Sequence, residues 1–178
     1  MNMDEIKIIL YNKPVGEICT RADEQDRPTV FDNLPTVSNG KWINIGRLDI
    51  NTSGLLLFTN NGELANKLMH PKSKIEREYL IRLNKPATAE AIRNLSKGVK
   101  LEDGMAKFKR IKPHANKKDN KWYKVILTEG RNREVRRLWE HEGYLVSNLI
   151  RVRFGQYVLP KRLGKGKYIT IDSSLISM

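Results

Sequence analysis

The chain has 178 residues and a formal net charge of +13, from 33 Lys and Arg against 20 Asp and Glu. Its length suits one domain or two small lobes, and no apolar run approaches the roughly 20 residues that span a bilayer. A single cysteine excludes an intramolecular disulfide and three scattered histidines lack zinc-ligand spacing, so we expect a cytoplasmic protein without a structural metal. The positive excess favours a polyanionic partner such as a phosphate backbone.

Seven segments rich in β-branched and aromatic residues predict β-strands. In chain order they are Ile6–Leu10, Trp42–Ile45, Leu55–Thr59, Ile75–Leu83, Trp122–Thr128, Leu145–Phe154 and Tyr168–Ile171. Three helices are predicted between them: Gly62–Met69, Thr88–Lys97 with a capping Thr, and about Asn132–Glu142. Strands separated by single short helices, without regular βαβ alternation, indicate an α+β fold on a mixed, largely antiparallel sheet with flanking short helices.

Two loops stand out in this pattern. The sequence Asn-Lys-Pro interrupts a strand and precedes a helix cap, so we predict a junction between two lobes near residues 84–87. The segment Lys112–Lys121 concentrates charge and is typical of a basic hairpin tip, either solvated or in contact with RNA.

The polar segment Gly46–Gly54 lies between two apolar runs and allows three interpretations. It is typical of a turn, because Asp, Asn, Ser and Gly bond their own backbone. Positions 1, 3, 5 and 6 of a calcium loop are also matched, by Asp49, Asn51, Ser53 and Gly54, but the twelfth position is Asn60 instead of Glu, and strands flank the segment. In the third interpretation Asp49 is a catalytic carboxylate, which requires a cationic partner that favours its charged form.

Candidate cations are concentrated in Glu129–Arg137, where four of the seven residues from 131 to 137 are Arg. If a helix opens after Gly130, then Arg133, Arg136 and Arg137 share one face through their spacing of three and four residues. That face is a phosphate clamp, an active-site wall or a solvated charged surface. The helix is tied to a core by Val135, Leu138 and Trp139, which favours a functional face.

Three blocks of the sequence, taken in combination and order, resemble the RsuA-type family of ribosomal RNA pseudouridine synthases. They are Gly46-Arg47-Leu48-Asp49, Arg77-Glu78-Tyr79 and the Arg-rich segment from Gly130 to Arg137. The similarity runs from about Lys13-Pro14 to Phe154-Gly155. Residues 17–21, 27–32 and 62–66 most resemble the family's large-subunit enzyme B branch.

The resemblance implies a two-lobed catalytic fold with a basic cleft, which isomerises a specific uridine of 23S ribosomal RNA to pseudouridine without metal or cofactor. Asp49 would be the nucleophile and attack a flipped-out uridine at C1′ of its ribose, or at C6 of its base. Tyr79 would stack on the target base, and Arg136 would pair with Asp49. Alternation along the strand predicts that Tyr79 and Ile81 share one face, with Glu78 and Leu80 on the other. Two alternatives stay open: the same chemistry on 16S ribosomal RNA, and a non-catalytic RNA-binding or ribosome-assembly protein.

The remaining candidate residues are assigned to RNA contacts. They are Arg47, Arg131, Arg133, Arg137, Leu149, Arg151 and Arg153. Counting in twos along the strand places Leu149, Arg151 and Arg153 on one face, with the intervening apolar residues in the core. The alternative interpretation of Leu149 is simple core packing. We expect the target to be a hairpin with a bulged or looped uridine.

The resemblance also bears on how the chain is organised. Many members of this family carry a small RNA-binding module of the S4 type ahead of the catalytic part, and this chain enters the catalytic part almost at once. We therefore expect residues 1–178 to form one catalytic domain without that module, and to act as a monomer.

Overall fold

The computed structural model describes residues 5–37, 40–115 and 119–171. The chain divides into two compact units, which are described separately. Unit 1 comprises residues 1–74 and 156–178, and unit 2 comprises residues 75–155.

Unit 1 is built on strands β1 (Ile8–Lys13), β2 (Ile43–Ile45), β3 (Ser53–Thr59), β10 (Tyr157–Val158) and β11 (Tyr168–Ile171). Strand β1 pairs antiparallel with both β3 and β11, and β2 pairs antiparallel with β3. Every residue of β1 and β3 is buried. Burial on both faces explains why these strands have continuous apolar runs in place of strict alternation.

Helix α1 (Gly62–Met69) of unit 1 has the bounds predicted from the sequence. The Asn61 side chain caps it by accepting a hydrogen bond from the Leu64 amide at 2.8 Å. The helix packs on β2 and β3. Short 3₁₀ turns at Val30–Asn33 and Pro71–Ser73 complete the unit.

Unit 2 has strands β4 (Arg77–Leu83), β7 (Arg110–Pro113), β8 (Trp122–Leu127) and β9 (Val146–Phe154), in the antiparallel order β9-β4-β8-β7. A separate hairpin consists of β5 (Val99–Leu101) and β6 (Gly104–Ala106). The helices are α2 (Ala89–Lys97) and α3 (Glu134–His141).

The core of unit 2 is centred on Trp139 of α3, which is fully buried. The rings of Phe108, Tyr123 and Tyr144 lie within 5.6–5.9 Å of its ring, centroid to centroid. Aromatic pairs at this spacing add to the stability that burial provides. The predicted packing of Trp139 against a core is therefore confirmed.

The prediction of a lobe junction near residues 84–87 is wrong. The boundaries of the two units fall after Lys74 and after Gly155. Leu83, before the predicted junction, and Ala91, after it, belong to one hydrophobic cluster of unit 2. The Asn-Lys-Pro sequence therefore lies in the connection between a strand that ends at Leu83 and a helix that begins at Ala89. Proline is found at the ends of strands as well as in linkers between lobes.

The α+β prediction is confirmed, since the strands pair mostly antiparallel and three short helices flank them. Strands β5, β6 and β7 were not predicted, because they are short and carry charged or exposed residues. Strands β7 and β8 form a hairpin, as predicted for the segment Lys112–Lys121. Residues 116–118 of that segment lie outside the described part of the chain.

Candidate active site

Asp49 lies in the connection between β2 and β3 of unit 1. The Thr52 amide donates to the Asp49 carbonyl at 2.9 Å, which closes a β-turn with Asp49 at its first position, where Asp is favoured. Asp49 is half-buried. The turn interpretation is therefore correct for the backbone of this segment.

A buried lysine holds this turn. Lys13, at the end of β1, is fully buried. Its Nζ donates to three backbone carbonyls, at 2.9 Å to Pro14, 3.4 Å to Ile50 and 2.7 Å to Thr52. Burial lowers the pKa of Lys13, while the neighbouring Cys19, Glu17 and Asp49 oppose that shift. The ammonium thus joins the end of β1 to the backbone on the carboxyl side of Asp49.

The backbone on the amino side of Asp49 is held as well. The Cys19 thiol donates to the Leu48 carbonyl at 3.3 Å, and the Leu48 amide donates to the same sulfur at 3.4 Å. Leu48 itself is buried in the core of unit 1. The preceding Arg47 is exposed and lines a cavity of about 370 Å³ with the loop 18–27.

Tyr79 lies in the middle of β4 in unit 2, with 8% of its surface exposed. As predicted, it shares a face with Ile81, and Glu78 and Leu80 lie on the other face. Its partner on β9 is Arg151, which is 3% exposed. The structure therefore places a buried guanidinium beside the ring predicted to stack on a base.

The Tyr79 face carries a second cation, the half-buried Arg77. The Cζ atoms of Arg77 and Arg151 lie 5.0 Å and 5.1 Å from the centroid of the Phe154 ring. Burial lowers the pKa of Arg77, although the guanidinium stays charged. Two cations on one aromatic ring form a strongly positive patch in unit 2.

One face assignment on β9 is wrong. Glu78 pairs with Arg153 and Tyr79 with Arg151, so Val152 forms a β-bulge. The extra residue reverses the alternation beyond it, because side chains normally change face at every residue. Arg153 therefore lies on the opposite face from Leu149 and Arg151.

On that opposite face Arg153 binds carboxylates. Its Nε lies 3.2 Å from Glu78, and its Nη2 lies 2.9 Å from Glu76. These two ion pairs raise the pKa of Arg153, against the effect of its partial burial. Leu149, in contrast, is buried at 7% exposure in the core of unit 2, as its alternative interpretation of simple core packing predicts.

Arg136 lies in the first turn of α3, which begins at Glu134, two residues later than predicted. Its Nη1 donates to the Val146 carbonyl at the start of β9, at 3.1 Å. Arg133 precedes the helix as an exposed N-cap with φ 52°. The predicted shared face of Arg133, Arg136 and Arg137 is therefore not formed, because Arg133 has a left-handed backbone outside the helix.

Arg131 and Arg137 bind the β5–β6 turn. The guanidinium of Arg137 makes a bidentate contact with Asp103, at 2.7 Å and 2.9 Å. Arg131 donates to the Asp103 carboxylate at 3.0 Å and to the Met105 carbonyl at 2.7 Å. These contacts lower the pKa of Asp103 and raise that of Arg137. We call Asp103, Arg131 and Arg137 the arginine clamp.

The family model described as RNA pseudouridylate synthase matches residues 7–141. The chain belongs to this family. The match includes the Asp49 turn, the Tyr79 strand and all of α3.

The curated proteins that are similar to this chain are also pseudouridine synthases by name. The chain is 55% identical over 166 residues to the ribosomal large subunit pseudouridine synthase B proteins of Salmonella typhi and Shigella flexneri. It is 53% identical over 173 residues to the protein of that name from Pseudomonas aeruginosa. These matches cover 93–97% of the chain, and 57%, 57% and 45% of the three relatives. The chain thus spans about half the length of the curated relatives it matches.

Solved structures agree on the fold. A crystal structure of a pseudouridylate synthase matches 97% of the chain and 73% of its own length, at a TM-score of 0.83 and 27% identity. An H/ACA ribonucleoprotein bound to a substrate RNA matches 89% of the chain and 50% of its own length, at a TM-score of 0.57 and 19% identity. The second likeness shows only that the fold is shared. Within the described ranges, no helix is long and apolar enough to cross a membrane.

Two residues near the candidate site, Arg77 and Lys13, are not among the site residues predicted from the sequence. Arg77 lies two residues before Tyr79 and so shares its strand face. Lys13 lies in the Lys-Pro pair at which the resemblance begins. Its position at the end of an apolar run was the available signal, because a lysine buried at a strand end needs acceptors from a neighbouring loop.

Proposed function

We propose that this chain isomerises a specific uridine of 23S ribosomal RNA to pseudouridine, with Asp49 as the nucleophile. The observation that supports this most directly is the 55% identity, over 93% of the chain, to ribosomal large subunit pseudouridine synthase B proteins. The positive charge of +13 suits an RNA substrate. The proposed target is a bulged or looped uridine, because flipping such a base costs least.

The reaction exchanges one glycosidic bond for another. The bond between C1′ and N1 breaks and a bond between C1′ and C5 forms, while the hydrogen on C5 leaves as a proton and N1 takes one up. The exchange is redox-neutral. Asp49 would attack C1′ or C6, and the hydrogen bonds around its turn would hold the carboxylate in one orientation during the attack.

Tyr79 and Arg136 are proposed to act on the base and on Asp49. Tyr79 would stack on the flipped base, and the cations of Arg77 and Arg151 on its strand face would attract the negatively charged nucleotide. Arg136 would pair with Asp49 and keep it ionised. This pairing is proposed from the resemblance of Arg136 to the family's basic residue.

The proposed RNA contacts differ in their surroundings. Arg47 and Arg133 are exposed, which suits contact with phosphates. Arg131, Arg137 and Arg153 hold carboxylates in the structure, so a phosphate would have to compete with Asp103, Glu76 or Glu78. We therefore rank the exposed Arg47 first among the phosphate contacts.

The decisive experiment follows the hydrogen at C5. RNA fragments of 23S and 16S ribosomal RNA, transcribed with uridine tritiated at C5, are incubated with the protein and the tritium released to water is counted. We expect release from one 23S fragment. Asp49→Asn should abolish release while RNA binding, measured by filter retention, changes by less than about threefold, because the amide keeps the size of the carboxylate but not its nucleophilicity.

Two matched variants control this experiment. Asp26→Asn makes the same charge change at an exposed residue of unit 1 whose left-handed backbone asparagine also adopts, and it should leave release unchanged. Arg136→Ala should lower release far more than binding, whereas Arg93→Ala on the exposed surface of α2 should lower neither strongly. Binding without release from any ribosomal RNA fragment would instead identify a non-catalytic RNA-binding protein. Release from a 16S fragment alone would move the substrate to the small subunit.

A further inference from the structure

We propose that Asp103 is a positioning residue for the reaction: through the arginine clamp it fixes the backbone that presents Arg136. The proposal rests on the proposed function, because Arg136 is assigned there as the partner of Asp49. It also assigns Arg131 and Arg137 to holding this backbone, where the sequence suggested phosphate contacts.

Arg131 and Arg137 make several directed hydrogen bonds to the β5–β6 turn. Arg131 donates from Nη1 to both the carbonyl and the carboxylate of Asp103, at 3.1 Å and 3.0 Å, and from Nη2 to the Met105 carbonyl at 2.7 Å. Arg137 adds its bidentate pair to the same carboxylate. Bidentate pairs of this kind restrict both the distance and the plane of the guanidinium. Arg131 and Arg137 are therefore both bound to the Asp103 carboxylate, and Arg131 also forms ion pairs with Glu129 and Glu134, at 3.1 Å and 3.5 Å.

The turn that contains Asp103 has a glycine where the Arg131 guanidinium approaches it. Gly104, directly after Asp103, has φ 120°, a conformation that glycine adopts without strain. A Cβ atom at Gly104 would lie 3.7 Å from Nη1 of Arg131, so the guanidinium already packs against the bare backbone. The β5–β6 hairpin packs on α3 through strand β5.

The backbone of Arg133 is strained at the start of α3. Arg133 has φ 52° and ψ 30°, the left-handed region, and no side-chain cap bond satisfies this helix end. A non-glycine residue in such a conformation costs about 1 kcal/mol and persists when its surroundings hold it. The residues on both sides of Arg133 are held in place. Arg131, two residues before it, binds Asp103, and the Arg137 amide donates to the Arg133 carbonyl at 2.9 Å.

The geometry explains how the clamp reaches Arg136. Arg137 is the next residue on the helix, so the two side chains leave the axis about 100° apart. Arg137 is directed to Asp103 while Arg136 donates to the Val146 carbonyl at 3.1 Å. Rotation of the first turn of α3 would displace both contacts together. A displacement of about 1 Å in a catalytic group is enough to lower turnover strongly.

The test uses Asp103→Asn, which keeps the size of the side chain and removes its charge. In the tritium-release assay we expect kcat to fall about tenfold and KM for the RNA to change less than about threefold. The Nε–H resonance of Arg136, in a protein labelled with ¹⁵N in arginine, should shift. The control is Glu102→Gln, an exposed carboxylate in the same turn, which should leave kcat and the resonance unchanged.

A second variant covers the case in which Asp103→Asn does not fold. Arg137→Met breaks the same ion pair from the other side and should lower kcat to a similar extent. The double variant should be no worse than Asp103→Asn alone, because Arg137→Met removes one of the two ion pairs that Asp103→Asn already removes. Additive losses would show that the two residues act separately and would overturn the proposal.

The remaining outcomes separate this inference from the proposed function. If the wild type releases tritium and Asp103→Asn matches it in kcat, or raises KM alone, Asp103 has no positioning role although the enzyme is confirmed. If the wild type releases no tritium, the proposed function fails. An unshifted Arg136 resonance in Asp103→Asn would then overturn the clamp's effect on Arg136 as well.

Discussion

The Asp49 turn of unit 1 and the Arg131–Arg137 segment of unit 2 are held by different kinds of interaction. Backbone groups dominate at the Asp49 turn: the Thr52 amide closes it, and the buried Lys13 ammonium binds its carbonyls. Partly exposed side chains dominate in the Arg-rich segment, where Asp103 binds two guanidinium groups. The first arrangement is protected from water, and the second is open to solvent ions.

This difference indicates where each region is sensitive to change. Interactions of a buried charge with neutral carbonyls are hardly screened by salt, whereas exposed ion pairs are screened over a few ångströms in concentrated salt. We therefore expect the turn of the proposed nucleophile to be fixed over a wide range of conditions. The segment carrying its proposed partner should respond to charge, pH and salt.

The largest expected effect is that of Lys13→Met, which tests the buried side of the comparison. Methionine fills a similar volume but leaves three carbonyls without their donor, so we expect a loss of about 3 kcal/mol in the free energy of unfolding, measured by urea titration. Lys41→Met, at an exposed lysine of the same unit, should change stability little. A stability for Lys13→Met equal to that of the control would show that the ammonium does not hold the turn.

A smaller effect is expected from pH, through the buried carboxyl of Glu134 at the start of α3. Burial and then the hydrogen-bonded Glu129 raise the pKa of Glu134 to about 7, while Arg131 opposes the shift. The positive charge of Arg77 also lies within range of both carboxyls. The Glu134 side chain accepts the Arg131 amide hydrogen bond at 2.9 Å, so its protonation state is linked to the clamp.

The sign follows from proton binding. Between the ordinary pKa of 4.5 and the folded value of about 7, the folded chain keeps a proton that the unfolded chain releases. This contribution is complete below pH 4.5 and is lost as the pH rises through about 7, so stability should fall by roughly 2 kcal/mol between pH 5 and pH 8. Glu134→Gln should flatten the pH dependence, and Glu140→Gln, exposed on the same helix, should retain it. A pH dependence that survives Glu134→Gln would contradict the assignment.

The smallest effect is expected from salt and is measured by amide hydrogen exchange. Raising the salt concentration from 0.1 M to 1 M should speed exchange at the Glu134 and Arg137 amides about two- to threefold, because screening weakens their ion-paired surroundings. Exchange should not change at the Thr52 amide of the Asp49 turn, or at the Gly16 amide, which donates to the Ile50 carbonyl of that turn at 2.8 Å. Equal acceleration in both regions would remove the distinction between them.

Much of the fold was predictable because its signals are local. Helix α1 has the predicted bounds since Asn61 and the following apolar spacing act within a few residues. The face of Tyr79 was predicted correctly because strand alternation is a property of the backbone. The Asp49 turn follows equally from residue types that bond their own backbone.

Other features depend on partners distant in the chain. The bulge at Val152, which turns Arg153 toward Glu76 and Glu78, arises from pairing with β4 some 75 residues away. The same holds for the clamp, since nothing in the sequence near Arg131 indicates that Asp103 will meet it. A cluster of arginines therefore predicts phosphate contacts when the carboxylate that binds the arginines is distant in the sequence.

The sequence by itself determined the family, the strand and helix types and the identity of the proposed nucleophile, because motif order and local periodicity survive without tertiary contacts. Only the tertiary structure decided which arginines bind carboxylates and that Lys13 holds the Asp49 turn. Each of those outcomes depends on burial and on distances between segments far apart in the chain, and ion pairs form where folding brings opposite charges within about 4 Å.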